Sequence, residues 1–143
     1  MRLWHKYLIM VLPRRQLLGQ WCECCRIAKN IAEKGTPNHL LVNKVMEYPI
    51  EHFFMICDSV YSEMVFRGYK CDPTKVMQYA DTLGLDRMKT YDIGYHDVFC
   101  DWHNDRYLTQ CFYNLQEKYD CGGIPEKEWR LLEERYKGLM NEE

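Results

Sequence analysis

The sequence predicts an all-α chain: a compact single-domain helical bundle over residues 1–143, built around a long central helix. Three observations lead there. Apolar residues recur at the 3.6-residue helical period in four separate segments. Proline, aspartate, asparagine and glycine stand at the ends of those segments, where helices start and stop. No stretch longer than a few residues alternates apolar with polar, as a half-buried strand would.

Taken in order, Pro13 opens and Gly35 closes the first long helix, with Leu17, Leu18, Trp21, Cys25, Ala28 and Ala32 as its apolar stripe. A short apolar segment, His39 to Met46, leads to Tyr48-Pro49. Ile50, Phe53, Phe54, Cys57, Val60 and Met64 then mark residues 49–67 as the central buried helix. Asp72-Pro73 begins a helix that ends before Gly84, with Asp72 as its cap. Residues 85–103 read as an irregular, aromatic and acidic loop region. Asn104 and Gly122 bracket a helix carrying Tyr107, Leu108, Cys111, Leu115 and Tyr119. Pro125 and Gly138 bracket the last, carrying Trp129, Leu132 and Tyr136, and Met140 to Glu143 are expected to fray. The aromatic pair Phe53-Phe54 and Trp129 are expected in the core.

The length, 143 residues, suits one domain with a real core. No run approaches the roughly 18 apolar residues of a membrane span, and Tyr7 to Leu12 is followed by no small-residue cleavage site. A cytoplasmic monomer without membrane attachment is the expectation. Eight cysteines in such a chain are expected to stay reduced and to pack as small apolar groups. The alternative is a zinc site drawn from Cys22, Cys24, Cys25, His96, Cys100 and His103. It lacks the paired Cys-x₂₋₄-Cys units that announce structural zinc, so neither metal nor cofactor is expected.

A formal net charge of −2 excludes a globally basic nucleic-acid binder, but the charge is unevenly spread. Residues 1–35 hold seven Lys and Arg against Glu23 and Glu33, a local +5, while the remaining 108 residues hold twelve against nineteen, a local −7. A polyanion should therefore meet the N-terminal quarter. A solvated helix surface would look the same.

Two features could carry chemistry. On a helical wheel, Gln16, Gly19, Glu23, Arg26 and Asn30 share one narrow face, opposite the apolar stripe. That face holds an acid, a base one turn on, and a glycine where a ligand could come close; it could also simply be wet. The second feature is the α-amine. Such a group titrates near about 7.7–8.0, more than two units below lysine, and so is partly neutral and nucleophilic near pH 7. Arg2 is bulky enough to protect an initiator methionine from removal, so Met1 is expected to be the terminal residue.

Met1-Arg2-Leu3-Trp4, Leu17-Leu18-Gly19-Gln20-Trp21-Cys22-Glu23, Asn38-His39 and Glu63-Met64 followed by Arg67-Gly68-Tyr69 together resemble the pyrimidine-dimer DNA glycosylase and abasic-site lyase family, the endonuclease V of ultraviolet repair. The likeness spans roughly residues 1–72. It implies a helical fold that binds double-stranded DNA containing a damaged or abasic site and flips a nucleotide from the stack. It further implies that the amine of Met1 attacks the sugar C1′ to form an imine, and that Glu23 acts as acid, base and charge stabiliser for β-elimination. Arg2, Gln16, Arg26 and His39 would contact DNA. The chain departs from the family where Cys22 stands in place of a common arginine, and where Met1 replaces the terminal threonine of other members. Two other readings keep the fold: an abasic-site lyase without dimer specificity, and a non-catalytic nucleic-acid or protein interaction module.

Overall fold

Proline and glycine set the boundaries of the first long helix as their backbone preferences require. In the computed structural model, which describes residues 1–141, helix α1 runs Arg14–Lys34. Pro13 precedes its first turn, and Gly35 closes it at φ 76°, a left-handed conformation that costs glycine nothing. The order continues with α2 (Ile50–Phe66), α3 (Thr74–Thr82), α4 (Arg87–Tyr91), α5 (Asp105–Asp120) and α6 (Glu126–Met140). Short 3₁₀ helices cover Lys6–Val11, Asn43–Glu47 and Tyr95–Asp97. Among the described residues there is no strand, and the fold is all-α as the periodicity predicts.

Helix α2 is the central element: α1, α4 and the 3₁₀ helices at Lys6–Val11 and Asn43–Glu47 all pack on it. Its Phe53, Phe54, Ile56, Cys57, Val60 and Met64 are buried. Helix α1 also lies along α3, and α5 pairs with α6. Trp129 is buried and stacks on Phe112 and Tyr119, so both aromatic groups expected in the core are there. No helix of the described residues is long and apolar enough to cross a membrane.

Local chemistry accounts for the other ends. Asn104 accepts the Tyr107 N–H at 2.9 Å and caps α5. Asp72 accepts from both the backbone and the hydroxyl of Thr74, so it caps α3 from one residue outside Pro73. Helix α6 does not stop at Gly138 but continues to Met140, because a glycine in a helical turn costs only about 1 kcal/mol. Met140 is therefore helical, and residues 142 and 143 of the expected frayed end lie outside the described residues.

Two expectations are corrected. Residues 85–103 are not simply an irregular loop: they contain α4 and a 3₁₀ turn, and they bury Val98, Phe99, Trp102 and His103. Aromatic mass makes this segment a plug rather than a surface connection. The buried stripe of α1 is also rotated from the one expected. It comprises Leu17, Gln20, Trp21, Cys24, Ile27, Ala28 and Ile31, while Leu18, Cys25 and Ala32 are only half-buried. At about 100° per residue this turns the core face by about 70° toward Glu23. The polar face borders the core instead of opposing it.

Candidate active site

That rotation puts Gln20 in a core position, and a buried amide needs partners. Gln20 is 1 % exposed and finds them on the first residues of the chain. Its Nε2 donates to the Arg2 carbonyl at 2.9 Å, and its Oε1 accepts the Trp4 N–H at 2.7 Å. The Tyr107 hydroxyl donates to the Leu3 carbonyl from α5. Residues 2–4 are thus fixed to α1 and α5 on both sides, and Met1 is carried to the polar face.

The anchor continues inward. Lys6 donates through its backbone N–H to His103 Nδ1 at 3.0 Å, and through Nζ to the carbonyls of His96 and Val98, both at 2.6 Å. Lys6 is only 2 % exposed, and burial pushes its ammonium below the usual lysine range. It cannot contribute to the basic N-terminal surface, as its charge alone suggested. His5 stacks on His103 with ring centroids 5.0 Å apart. Burial lowers His5 to about 4 and drives His103 well below the ordinary imidazole value, so both stay neutral near pH 7.

A pocket of about 280 Å³ opens where the N-terminal residues meet α1 and α5. Met1, Arg2 and Trp4 line it from one side, and Gln16, Gly19, Gln20 and Glu23 from α1. Asn114 and Lys118 complete it from α5. Glu23 uses Oε1 to pair with Arg26 Nη1 at 3.1 Å, and its Oε2 is buried with no hydrogen-bond partner. Gln16 Oε1 is likewise buried and unpartnered. Two buried acceptors without partners, both on residues that line one pocket, form an unfinished hydrogen-bond set, which a ligand with donors or positive charge would complete. Beside Gly19, apart from its chain neighbours and the backbone of α1, no protein atom lies within 4 Å of where a Cβ would stand, so its missing side chain leaves room for a ligand.

The structure thus brings Met1, Arg2, Gln16 and Glu23 together, with Arg26 at the exposed edge through its pair with Glu23. Arg2 also lies over the Trp4 ring at 5.2 Å. His39 is elsewhere: half-buried in the turn after α1, it accepts the Leu41 N–H on Nδ1 at 3.3 Å. Cys22 is exposed, Cys24 buried and Cys25 half-buried on successive sides of α1. Among the described residues no group of three or more His, Cys, Asp or Glu side chains could hold a metal.

Four pocket residues, Trp4, Gln20, Asn114 and Lys118, were not among the expected site residues. Gln20 carried a signal, since its wheel position falls between Ile27 and Ile31, where a polar side chain must bond to something buried. Asn114 and Lys118 carried none, because their neighbours in the pocket are about a hundred residues away in sequence.

Residues 1–77 match the family described as pyrimidine dimer DNA glycosylase. The match covers every N-terminal and α1 residue of the pocket but neither contribution from α5. No curated protein and no solved structure matches the chain.

Proposed function

The chain belongs to the pyrimidine dimer DNA glycosylase family, and we propose that it cleaves damaged double-stranded DNA by imine chemistry, with the Met1 α-amine as nucleophile and Glu23 as acid and base. The single observation that carries the reading is the unpartnered Glu23 Oε2 in the pocket that Met1 lines.

The Met1 nitrogen attacks C1′ of the flipped nucleotide, and the bond from C1′ to the base breaks with its electron pair leaving on the base. Glu23 takes a proton from the amine and returns it to the ring oxygen as the bond from C1′ to O4′ breaks, and C1′ is left as a cationic imine. Glu23 sits one helical turn from Gly19 and stabilises that positive charge. Its free oxygen then takes a proton from C2′, and the bond from C3′ to its phosphate oxygen breaks, releasing the 3′ phosphate. Water finally hydrolyses the imine and frees Met1. An acceptor pair that is already desolvated needs little reorganisation when the charge develops.

Arg2, Lys118 and the exposed Arg26 supply cations around the pocket, which suits phosphates on either side of the reacting sugar. Gln16 and Asn114 offer amides to the sugar or base. Flipping the nucleotide costs a few kcal/mol and least at a damaged site, so the pocket selects weakened positions. Exposed Cys22 offers no phosphate contact of the kind an arginine makes, which favours abasic sites over intact dimers as substrates.

The test is borohydride trapping on duplexes that carry a thymine dimer or an abasic site, followed by peptide mass spectrometry. Adducts at Met1 on both substrates are the expected outcome, with the abasic duplex trapping more strongly. An adduct on abasic DNA alone reduces the activity to a lyase. An adduct at Lys118, the other amine of the pocket, would transfer the nucleophile to α5. No adduct on either duplex sinks the catalytic reading.

A further inference from the structure

After Gly35 the chain doubles back along α1, and Asn30 Nδ2 donates to the Pro37 carbonyl at 3.2 Å. Asn30 lies on the same side of α1 as Glu23, seven residues nearer its C-terminus, so the turn that follows rises over an extension of the pocket face. At its crest is Leu40, 90 % exposed, with Leu41 beside it at 52 %. A single exposed leucine means little. This one is held in place. The N–H groups of Val42 and Asn43 both donate to the His39 carbonyl, at 3.0 and 2.9 Å. The His39 N–H donates to Asn43 Oδ1 at 2.9 Å, and the Leu41 N–H to His39 Nδ1. Four hydrogen bonds thus stiffen a turn whose tip is apolar. On either side of it in sequence Arg26, Lys29, Lys34 and Lys44 are all exposed, against two exposed acids, Glu33 and Glu47.

We infer that Leu40 is a wedge that enters the base stack of duplex DNA on the flank of the nucleotide held in the pocket. The inference rests on the DNA-cleaving reading of that pocket. A pinned apolar tip opens a base step and keeps it open, while the surrounding cations neutralise the phosphates that a kink brings together. The join to the pocket face at Asn30 and the excess of exposed cations over acids across residues 26–47 both favour a duplex as occupant. From Glu23 to Asn30 is roughly 10 Å at 1.5 Å per residue. With stacked bases about 3.4 Å apart, Asn30, where the turn joins α1, stands about three steps from Glu23, so Leu40 meets the stack away from the reacting sugar. His39 then acts on DNA through the turn it pins.

The test uses duplexes with one tetrahydrofuran abasic analogue, which cannot be cleaved, and 2-aminopurine placed in turn at each position within six steps. The wild-type protein should raise the fluorescence at one position away from the analogue, and Leu40→Ala should remove the rise. On a cleavable abasic duplex, Leu40→Ala should slow strand scission by about tenfold or more. Trapping on a single-stranded abasic oligonucleotide, which has no stack to open, should stay at the wild-type level. Leu40→Met should restore the fluorescence and the duplex rate, and Leu40→Lys should restore neither. The inference is overturned if Leu40→Ala keeps the rise, or if it loses activity equally on single strands. Wild-type protein that traps on no DNA yet gives the Leu40-dependent rise would sink the catalytic reading and keep the wedge. No rise at any position with wild type sinks the wedge, whatever the trapping shows.

Discussion

The two sides of α1 carry cavities of opposite character. On one side is the pocket of about 280 Å³ shared by Met1, Gln16, Glu23 and Lys118. On the other is a larger space of about 600 Å³, walled by Trp21, Phe54, Val76 and Ala80 and rimmed by Tyr91 and Arg87. Volume alone would select the second. The first, however, holds the buried acceptors without partners, whereas Arg87 at the rim of the second is already paired with Asp81 at 2.9 Å. Chemistry follows unsatisfied polar atoms more closely than it follows space, because an unmet hydrogen bond is a free-energy cost that a ligand can remove.

That contrast can be broken most directly at Glu23. Glu23→Gln should lower the strand-scission rate by about 10²–10⁴, the range of a lost general acid or base. Its thermal midpoint should barely move, because Arg26, the ion-pair partner of Glu23, is largely exposed and the pair is worth little. A large drop in the midpoint would instead make Glu23 structural.

Trp21→Ala addresses the opposite side. Removing this buried ring should cost about 3–5 kcal/mol in denaturant unfolding. Trapping at a temperature where the variant is folded should remain near wild type. Equal losses of trapping and stability would mean that the two sides are not separable.

Acid should loosen the anchor behind the pocket. His5, at about 4 when folded, and His103, also lowered, both bind a proton more readily once the chain unfolds. Stability is therefore complete above pH 6.5 and falls as the pH drops below it, by about 3 kcal/mol from His5 alone on reaching pH 4. Urea midpoints across that range give the measurement. A flat profile would show that the histidines do not hold the N-terminal segment.

The smallest effect is expected at Gly19. Gly19→Ala should stabilise the chain by about 1 kcal/mol through helix propensity, since nothing lies near the new Cβ. Gly19→Leu should fill the pocket and lower trapping without unfolding. Unchanged trapping in the leucine variant would mean that the ligand does not approach this helix.

The helices were legible to the extent that local physics makes them. Pro13, Gly35, Asn104 and the α2 stripe act over a few residues, and each lies where the sequence places it. The exact core face of α1 was less legible: Leu18 and Cys25 fit one phase and Ile27 and Ile31 another, and only the packing of α2 and α3 chooses between them. Residues 85–103 were misread for a related reason. Their regular structure is short, and it is Lys6 and His103, 97 positions apart, that make the segment part of the core.

The amine and Glu23, the pair implied by resemblance, thus depend on both levels. By itself the sequence determined the helical class, the ends of α1 and the start of α5, the polar row from Gln16 to Asn30 and the family, all of which are written in local spacing. Tertiary structure alone decided that Gln20 clamps the N-terminus, that Lys6 is withdrawn from the surface, and that Asn114 and Lys118 close the pocket. Those contacts join residues far apart in the chain, and no local periodicity encodes which distant polar group will satisfy a buried one.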